Sequence, residues 1–282
     1  MLIHPGFDPV ALHLPTIGPL ALAIHWYGLM YLLGFLSFYW LGRYRAKKTQ
    51  FMSPDAMGDL VFYGALGVML GGRFGYVLFY DFQNFLHNPL LILGLTQTVS
   101  GHWSLEFKGM SFHGGLIGIV TAMVLFARHH QLRFTALLDF VTPLGPLGLF
   151  FGRIGNFING ELWGRPTNAS WGMVFPWVDN QARHPSMLYE SFLEGLVLFL
   201  VLWWFSREPK PRLAVTGLFL LGYGVFRFLI EFVREPDQQI GFIAFDWMTM
   251  GHLLSLPMII AGGSLLVWAY TQNTLAARLE RK

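Results

Sequence analysis

Three long apolar stretches each carry an arginine toward the same end: Arg73 in GGRFGY (71–76), Arg153 in GRIGNFINGELWG (152–164) and Arg227 in GYGVFRFLIEFVREPD (222–237). An arginine at mid-bilayer costs upward of about 3 kcal/mol, so such residues face a partner or a ligand. Three of them at one depth point to a pocket for an anion, and the planar guanidinium fork suits phosphate oxygens. Around them stand Tyr223, Glu231 and Arg234, which share a helical stripe with Arg227 at spacings of four, four and three. On a continuous helix Arg234 falls about 10 Å outward of Arg227, with Glu231 between them to hold both guanidinium groups. Asn156, Asn159 and Glu161 follow Arg153 directly, His25 and Tyr27 lie early in the first apolar run, and His113 opens the third.

These groups need apolar elements to position them, and the composition supplies them. Apolar residues make up 54% of the chain and charged residues 12%, where a soluble domain has roughly 25% charged. A helix of about 20 apolar residues crosses a bilayer. Seven such segments are expected, near 18–42, 57–80, 112–129, 133–155, 186–206, 214–233 and 247–270. The fold class is therefore all-α and integral to the membrane. Connections this short leave room for one polytopic domain over 1–282 and no separate soluble one. The first 17 residues lack a basic region and no small-residue cleavage site follows, so the first run reads as a retained span.

The basic residues set the orientation. Arg43, Arg45, Lys47 and Lys48 follow the first span, Arg128 and Arg133 the third, Arg207, Lys210 and Arg212 the fifth, and Arg278, Arg281 and Lys282 the seventh. The opposite loops hold only Lys108, Arg165, Arg183 and Arg234. By the positive-inside rule the N-terminus is outside and the C-terminus cytoplasmic. Spans two, four and six then run outward, which puts Arg73, Arg153, Arg227 and Arg234 in the outer half of the bilayer. Counted against Glu161 and Glu231 the layer is cationic, and an anionic phospholipid entering sideways is the most available ligand there. Gly-Arg-x-Gly recurs at 72–75 and 152–155, and most of the 32 glycines are expected to serve close helix packing. Asp139, Glu190 and Glu194 are assigned structural roles in the middle or cytoplasmic portions of their spans.

Six segments resemble one family. HWYGLMY (25–31), GGRFGY (71–76), MSFHGG (110–115), GRIGNFINGELWG (152–164), RHPSMLYE (183–190) and GYGVFRFLIEFVREPD (222–237) resemble the prolipoprotein diacylglyceryl transferases, and the likeness runs nearly end to end. The loop between Gly164 and Arg183 is shorter than in some relatives. The resemblance implies a bacterial inner-membrane enzyme of lipoprotein maturation, with a seven-helix core and small periplasmic elements that residues 81–111 and 156–185 would supply. It implies transfer of the sn-1,2-diacylglyceryl group of phosphatidylglycerol to the lipobox cysteine thiol of a preprolipoprotein, with release of glycerol phosphate. It further implies that Arg153 and Arg227 bind phosphatidylglycerol and that His113 matters for activity. Tyr27, Asn156, Glu161, Gly164, Tyr223, Glu231 and Arg234 are implicated in activity or lipid contact.

The chemistry asks for a thiolate, and a free thiol is only a few per cent ionised at neutral pH. Imidazole is a suitable base, which makes His113 the candidate, with Glu161 as the other. Arginines on the phosphate would stabilise the charge that develops as the C–O bond breaks. The chain has no cysteine, so it can offer no enzyme thiol and no thiolate metal site. Adjacent His129 and His130 are poor zinc ligands, and no Walker or dinucleotide-binding glycine pattern follows a strand. Neither cofactor nor metal is expected. The basic pI of about 9.2 reflects topology and gives no reason to propose nucleic acid binding. The competing class is a transporter or flippase for an anionic lipid or metabolite, which would use intramembrane arginines and broken helices.

Overall fold

The computed structural model describes residues 2–13, 23–87, 95–97, 103–105, 111–236 and 241–279. Ten α-helices carry the described fold: α1 Trp26–Thr49, α2 Ala56–Tyr80, α3 Phe82–His87, α4 Phe112–His129, α5 Phe134–Val141, α6 Gly145–Asn159, α7 Ser186–Glu190, α8 Leu198–Phe205, α9 Ala214–Ile230 and α10 Met250–Leu279. A 3-10 turn at Thr142–Leu144 joins α5 to α6, and a π-helical turn at Ser191–Val197 joins α7 to α8. Among the described residues, four stretches are long and apolar enough to cross a membrane: Ala56–Tyr80, Phe134–Asn159, Ser186–Phe205 and Met250–Gln272. His113–His129 and Ala214–Ile230 are shorter apolar helices.

Every expected helical segment has a counterpart, but several ends move. The first helix starts at Trp26, and Ala23–His25 (β3) instead pairs antiparallel with Val10–His13 (β2). His25 is thus a strand residue, and the 18–22 part of the expected first span lies outside the described residues. The fourth helix runs on to Asn159, where Gly160 closes it in the left-handed conformation at φ +65°, so Asn156 and Asn159 are helical and not part of the loop that follows. The sixth helix stops at Ile230, and Arg234 lies in an irregular segment bridged to Gly164. The continuous-helix spacing between Arg227 and Arg234 is therefore not kept.

Contacts divide the chain into two compact units. In the unit Arg45–Leu137, α2 and α4 pack backbone to backbone. A Cβ on Gly67 would lie 2.7 Å from Ala122 Cβ, one on Gly71 would lie 2.7 Å from Gly118 Cα, and one on Gly75 would lie 2.7 Å from Gly114 Cα. The expected packing role of these glycines holds. Ser111 caps α4 by accepting from the Gly114 amide at 3.2 Å, and its own amide donates to the Gly72 carbonyl at 2.9 Å. That bond brings Arg73 and His113 to the same end of the pair. The hairpin of Leu95–Gln97 (β4) and Trp103–Leu105 (β5) and the helix α3 occupy the described parts of 81–111.

The other unit, Met1–Tyr44 with Leu138–Lys282, holds the remaining helices. Asp139 caps α9 from a distance in sequence, accepting from the Leu213 amide at 2.6 Å and from the Thr216 amide at 2.9 Å and hydroxyl at 2.7 Å. Its structural reading holds. Leu2–Ile3 (β1) pairs parallel with Met173–Val174 (β6), which pairs antiparallel with Ala182–Arg183 (β7). Under this sheet, Met173, Phe175 and Met187 form a buried cluster with Phe157, Trp163, Val178 and Leu188 against it. His4, whose Nδ1 accepts the Gly6 amide at 3.0 Å, is left to donate from Nε2 to the Phe157 carbonyl at 2.7 Å. The strand is thereby tied to the last turn of α6.

Candidate active site

Glu190, at the end of α7, is where the arginines meet. Arg153 Nε lies 2.7 Å from one carboxylate oxygen, Arg227 Nη1 2.6 Å from the other, and Arg234 Nε 3.8 Å from that second oxygen. Glu231, the residue that closes α9, sits 3.0 Å from Arg227 Nη2 and 3.6 Å from Arg234 Nη1. Arg227 is thus held by two carboxylates, one on each terminal nitrogen. Gly195, in the π-helical turn after Glu190, has no room for a side chain: a Cβ would come within 2.7 Å of the Phe150 Cα. This contact packs Glu190's own segment against α6, the helix of Arg153.

The role expected for Glu231 is present; the role of Glu190 was missed. Its structural reading gave it no contact with the arginines. The fifth span starts at its outer end under the orientation inferred from the basic residues, so position 190 is barely one turn in. A glutamate in an apolar run is itself a functional signal, and Glu190 and Glu194 at i,i+4 form a pair of them. Glu194 is fully buried and neither of its oxygens has a hydrogen-bond partner among the described residues.

These carboxylates also correct the charge count. Arg153, Arg227 and Arg234 are met by Glu190 and Glu231, with buried Glu194 one turn further on, so the surplus in this cluster is at most one positive charge. The asymmetry lies in exposure. Glu190 and Glu231 side chains are 1% exposed, whereas Arg153 keeps 22%, Arg227 15% and Arg234 14% of theirs. What an incoming group meets is guanidinium.

The other expected residues of this unit gather on the same helices. Arg153 Nη1 donates to Asn156 Oδ1 at 3.4 Å, Asn156 Nδ2 to Glu161 Oε2 at 3.2 Å, and Asn159 Nδ2 to Glu161 Oε1 at 3.1 Å. Tyr27 lies over α6, where a Cβ on Gly155 would fall 2.8 Å from its ring, and its hydroxyl is 3.3 Å from that of Tyr31. Tyr223 is one turn before Arg227 on α9, packed on Phe219 with rings 5.8 Å apart. Arg73 and His113 belong to the Arg45–Leu137 unit, and His113 is exposed near the start of α4.

Gly164 has a mechanical part. Its amide donates to the His184 carbonyl at 2.8 Å, and a Cβ there would lie 2.8 Å from both the His184 Cβ and its carbonyl oxygen. The bridge from Gly164 to Arg234 fastens the loop to the residues after α9. Arg165 reinforces it, donating to the Arg234 carbonyl at 2.9 Å and the Glu231 carbonyl at 3.3 Å. Arg183 closes the loop on itself, reaching Asp179 at 2.6 Å, Glu235 at 3.1 Å and the Gly164 carbonyl at 3.1 Å. Its guanidinium holds the Asp179 carboxyl below the ordinary aspartate range, and Asp179 in turn raises Arg183. Burial pulls His184 below the ordinary histidine value.

Fold and site define a multi-pass helical membrane protein with a part-exposed arginine cluster braced from behind by buried glutamates. Sequence comparison narrows the class. A model of the prolipoprotein diacylglyceryl transferase family matches residues 9–268, and the chain belongs to that family. It is 55% identical over 280 residues to the phosphatidylglycerol–prolipoprotein diacylglyceryl transferase of Chromohalobacter salexigens, covering 99% of each chain. It is 55% identical over 271 residues to the Coxiella burnetii protein of that name, covering 96% of this chain and 98% of the relative. A Marinomonas relative of the same name is 51% identical over 276 residues, covering 97% of each.

Proposed function

We propose that this chain transfers the sn-1,2-diacylglyceryl group of phosphatidylglycerol to the lipobox cysteine thiol of a preprolipoprotein. The thiol gives its proton to a base, the thiolate attacks the glyceryl carbon next to the phosphate, the C–O bond breaks and glycerol phosphate leaves with the bonding pair. The observation that carries this reading is the convergence of Arg153 and Arg227 on Glu190 with their outer surfaces open. Two forks already aligned on one carboxylate are aligned for a phosphate of similar width, and need little reordering as charge develops. The seven crossings, the outside N-terminus, the inner-membrane location and a site in the outer leaflet follow from the basic-residue pattern and belong to the same proposal.

His113 is the proposed base on its chemistry and its family position. His113→Gln should cut turnover by about 10²–10⁴ while lipid binding changes little. Raising the pH toward the thiol's own range should then restore part of the rate, because more substrate arrives ionised. Loss of lipid affinity with no recovery at high pH would make His113 a headgroup or structural contact, and the base would then be Glu161, water or no protein group at all.

The reaction is tested by incubating purified protein with phosphatidylglycerol and a lipobox peptide. Thioether peptide and free glycerol phosphate in equal amounts are expected, and a zwitterionic lipid of the same acyl chains should give neither. Movement of the lipid between leaflets without thioether formation would favour the flippase reading instead.

A further inference from the structure

The first turn of α10 is the seat of the Glu231 carboxylate, and we propose that Thr249 and Gly251 are positioning residues that set Arg227 through it. The proposal rests on the reading of the arginine cluster as the lipid-phosphate site. Thr249 stands immediately before α10, where a threonine hydroxyl ordinarily accepts from the helix's own third amide. Here it turns outward and donates to Glu231 Oε1 at 2.7 Å. The cap is completed by the residue three positions on: His252 Nδ1 accepts the Thr249 backbone amide at 3.2 Å. The His252 ring is fully buried and boxed in by Phe232 at 4.6 Å, Phe228 at 4.8 Å and Trp247 at 5.2 Å between ring centroids. The same Nδ1 lies 3.0 Å from the Thr249 hydroxyl, so the ring holds Thr249 in place beside Glu231 from both its amide and its side chain.

Gly251 supplies the space. A Cβ there would lie 2.6 Å from both oxygens of the Glu231 carboxylate. The carboxylate is thus laid against the opening turn of a 30-residue helix, where amides lack intrahelical acceptors and the positive end of the helix dipole favours an anion. It is shielded from bulk solvent there, at 1% exposure. Arg227 then hangs between this anchored carboxylate on Nη2 and Glu190 on Nη1. A methyl at position 251 meets only the far end of a flexible side chain. It displaces the carboxylate rather than the backbone, so the fault passes to the Arg227 fork and the fold survives.

Three variants test this with kcat and KM for phosphatidylglycerol measured beside the thermal unfolding midpoint. Thr249→Val keeps the shape and removes the donor, Thr249→Ser keeps the donor, and Gly251→Ala shifts the carboxylate. The Val and Ala variants should lose about tenfold or more in kcat/KM for the lipid, the scale of one hydrogen bond to a charged group. Thr249→Ser should stay near wild type, and all three should unfold near the wild-type temperature. Combining Glu231→Asp with Gly251→Ala shortens the side chain where the methyl intrudes, so the double variant should recover part of the loss of Gly251→Ala. Wild-type kcat/KM in Thr249→Val and Gly251→Ala would overturn the proposal, as would equal losses in Thr249→Ser and Thr249→Val. Arg227→Gln is assayed in parallel. If it is fully active the phosphate-site reading has failed; if it is inactive while Thr249→Val and Gly251→Ala match wild type, only the positioning role has failed.

Discussion

The α2–α4 pair and the cluster around Glu190 solve the same problem, close association of apolar helices, by opposite means. Between α2 and α4 the side chains have been removed, and Gly67, Gly71, Gly75, Gly114 and Gly118 let the backbones touch. Around Glu190 three of the most polar side chains available are driven between α6, α7 and α9 and then neutralised by carboxylates sealed from solvent. The glycine seam itself offers a ligand no polar side chain, although Arg73 and His113 stand on the same two helices. The second stores ion pairs whose cationic face is part-open, and a helix bundle that needed only to hold together would gain more from the first. The contrast separates packing from chemistry within one chain.

The sharpest way to break the contrast is to remove the bracing charge. Glu190→Ala leaves Arg153 and Arg227 without their shared partner, and breaking a buried pair from one side costs about 3–5 kcal/mol. Thermal unfolding in detergent should show a large drop, and Glu190→Gln, which keeps the volume and an acceptor, a smaller one. A phosphatidylglycerol analogue that binds without reacting should restore part of the lost stability in Glu190→Ala, since its phosphate can take the carboxylate's place.

Next in size is the glycine pair. Gly71→Ala or Gly118→Ala sets a methyl against backbone that cannot step aside, at about 1–3 kcal/mol. No phosphate analogue should repair it. If the lipid analogue rescues both classes of variant equally, the distinction between packing and chemistry drawn here fails.

The contrast was unevenly legible in the sequence. The glycine runs and the arginines Arg73, Arg153 and Arg227 stand out because each is costly or unusual in an apolar segment, and the helix positions followed from the same hydropathy. Glu190 was equally visible as a residue but was read as structural, since no local pattern shows that Arg153 and Arg227 converge on it. His25 and Arg234 were misplaced for a different reason. A run of apolar residues does not distinguish the strand Ala23–His25, which pairs with Val10–His13, from the helix that follows it. Nor does a periodic stripe reveal that α9 stops at Ile230, where Arg165 comes in from 66 residues away to take the Glu231 carbonyl. The seat of Glu231 on α10 depends on a tertiary contact that no local pattern encodes.

The smallest effect concerns the loop that carries Gly164. Because the Asp179 carboxyl is held below its ordinary range by Arg183, its contribution is present above the unfolded aspartate value. That contribution is lost as the pH falls through the lowered folded one. Hydrogen exchange across 164–183 should therefore quicken only in distinctly acid solution, and Asp179→Asn should show the quickened exchange already at neutral pH. An unchanged exchange rate in Asp179→Asn would mean that Glu235 and the Gly164 carbonyl hold Arg183 unaided.

The central claim is that Arg153 and Arg227 grip the lipid phosphate. It is tested most directly by single-turnover transfer from phosphatidylglycerol to a lipobox peptide in Arg153→Gln and Arg227→Gln, at limiting and saturating lipid, with folding verified by unfolding midpoint. Each glutamine variant should lose about 10²-fold or more, the scale of a lost preorganised donor at a developing charge. Arg→Lys should recover only part of it, because a point charge replaces a two-pronged contact. Wild-type rates in either glutamine variant at both lipid concentrations would contradict the account.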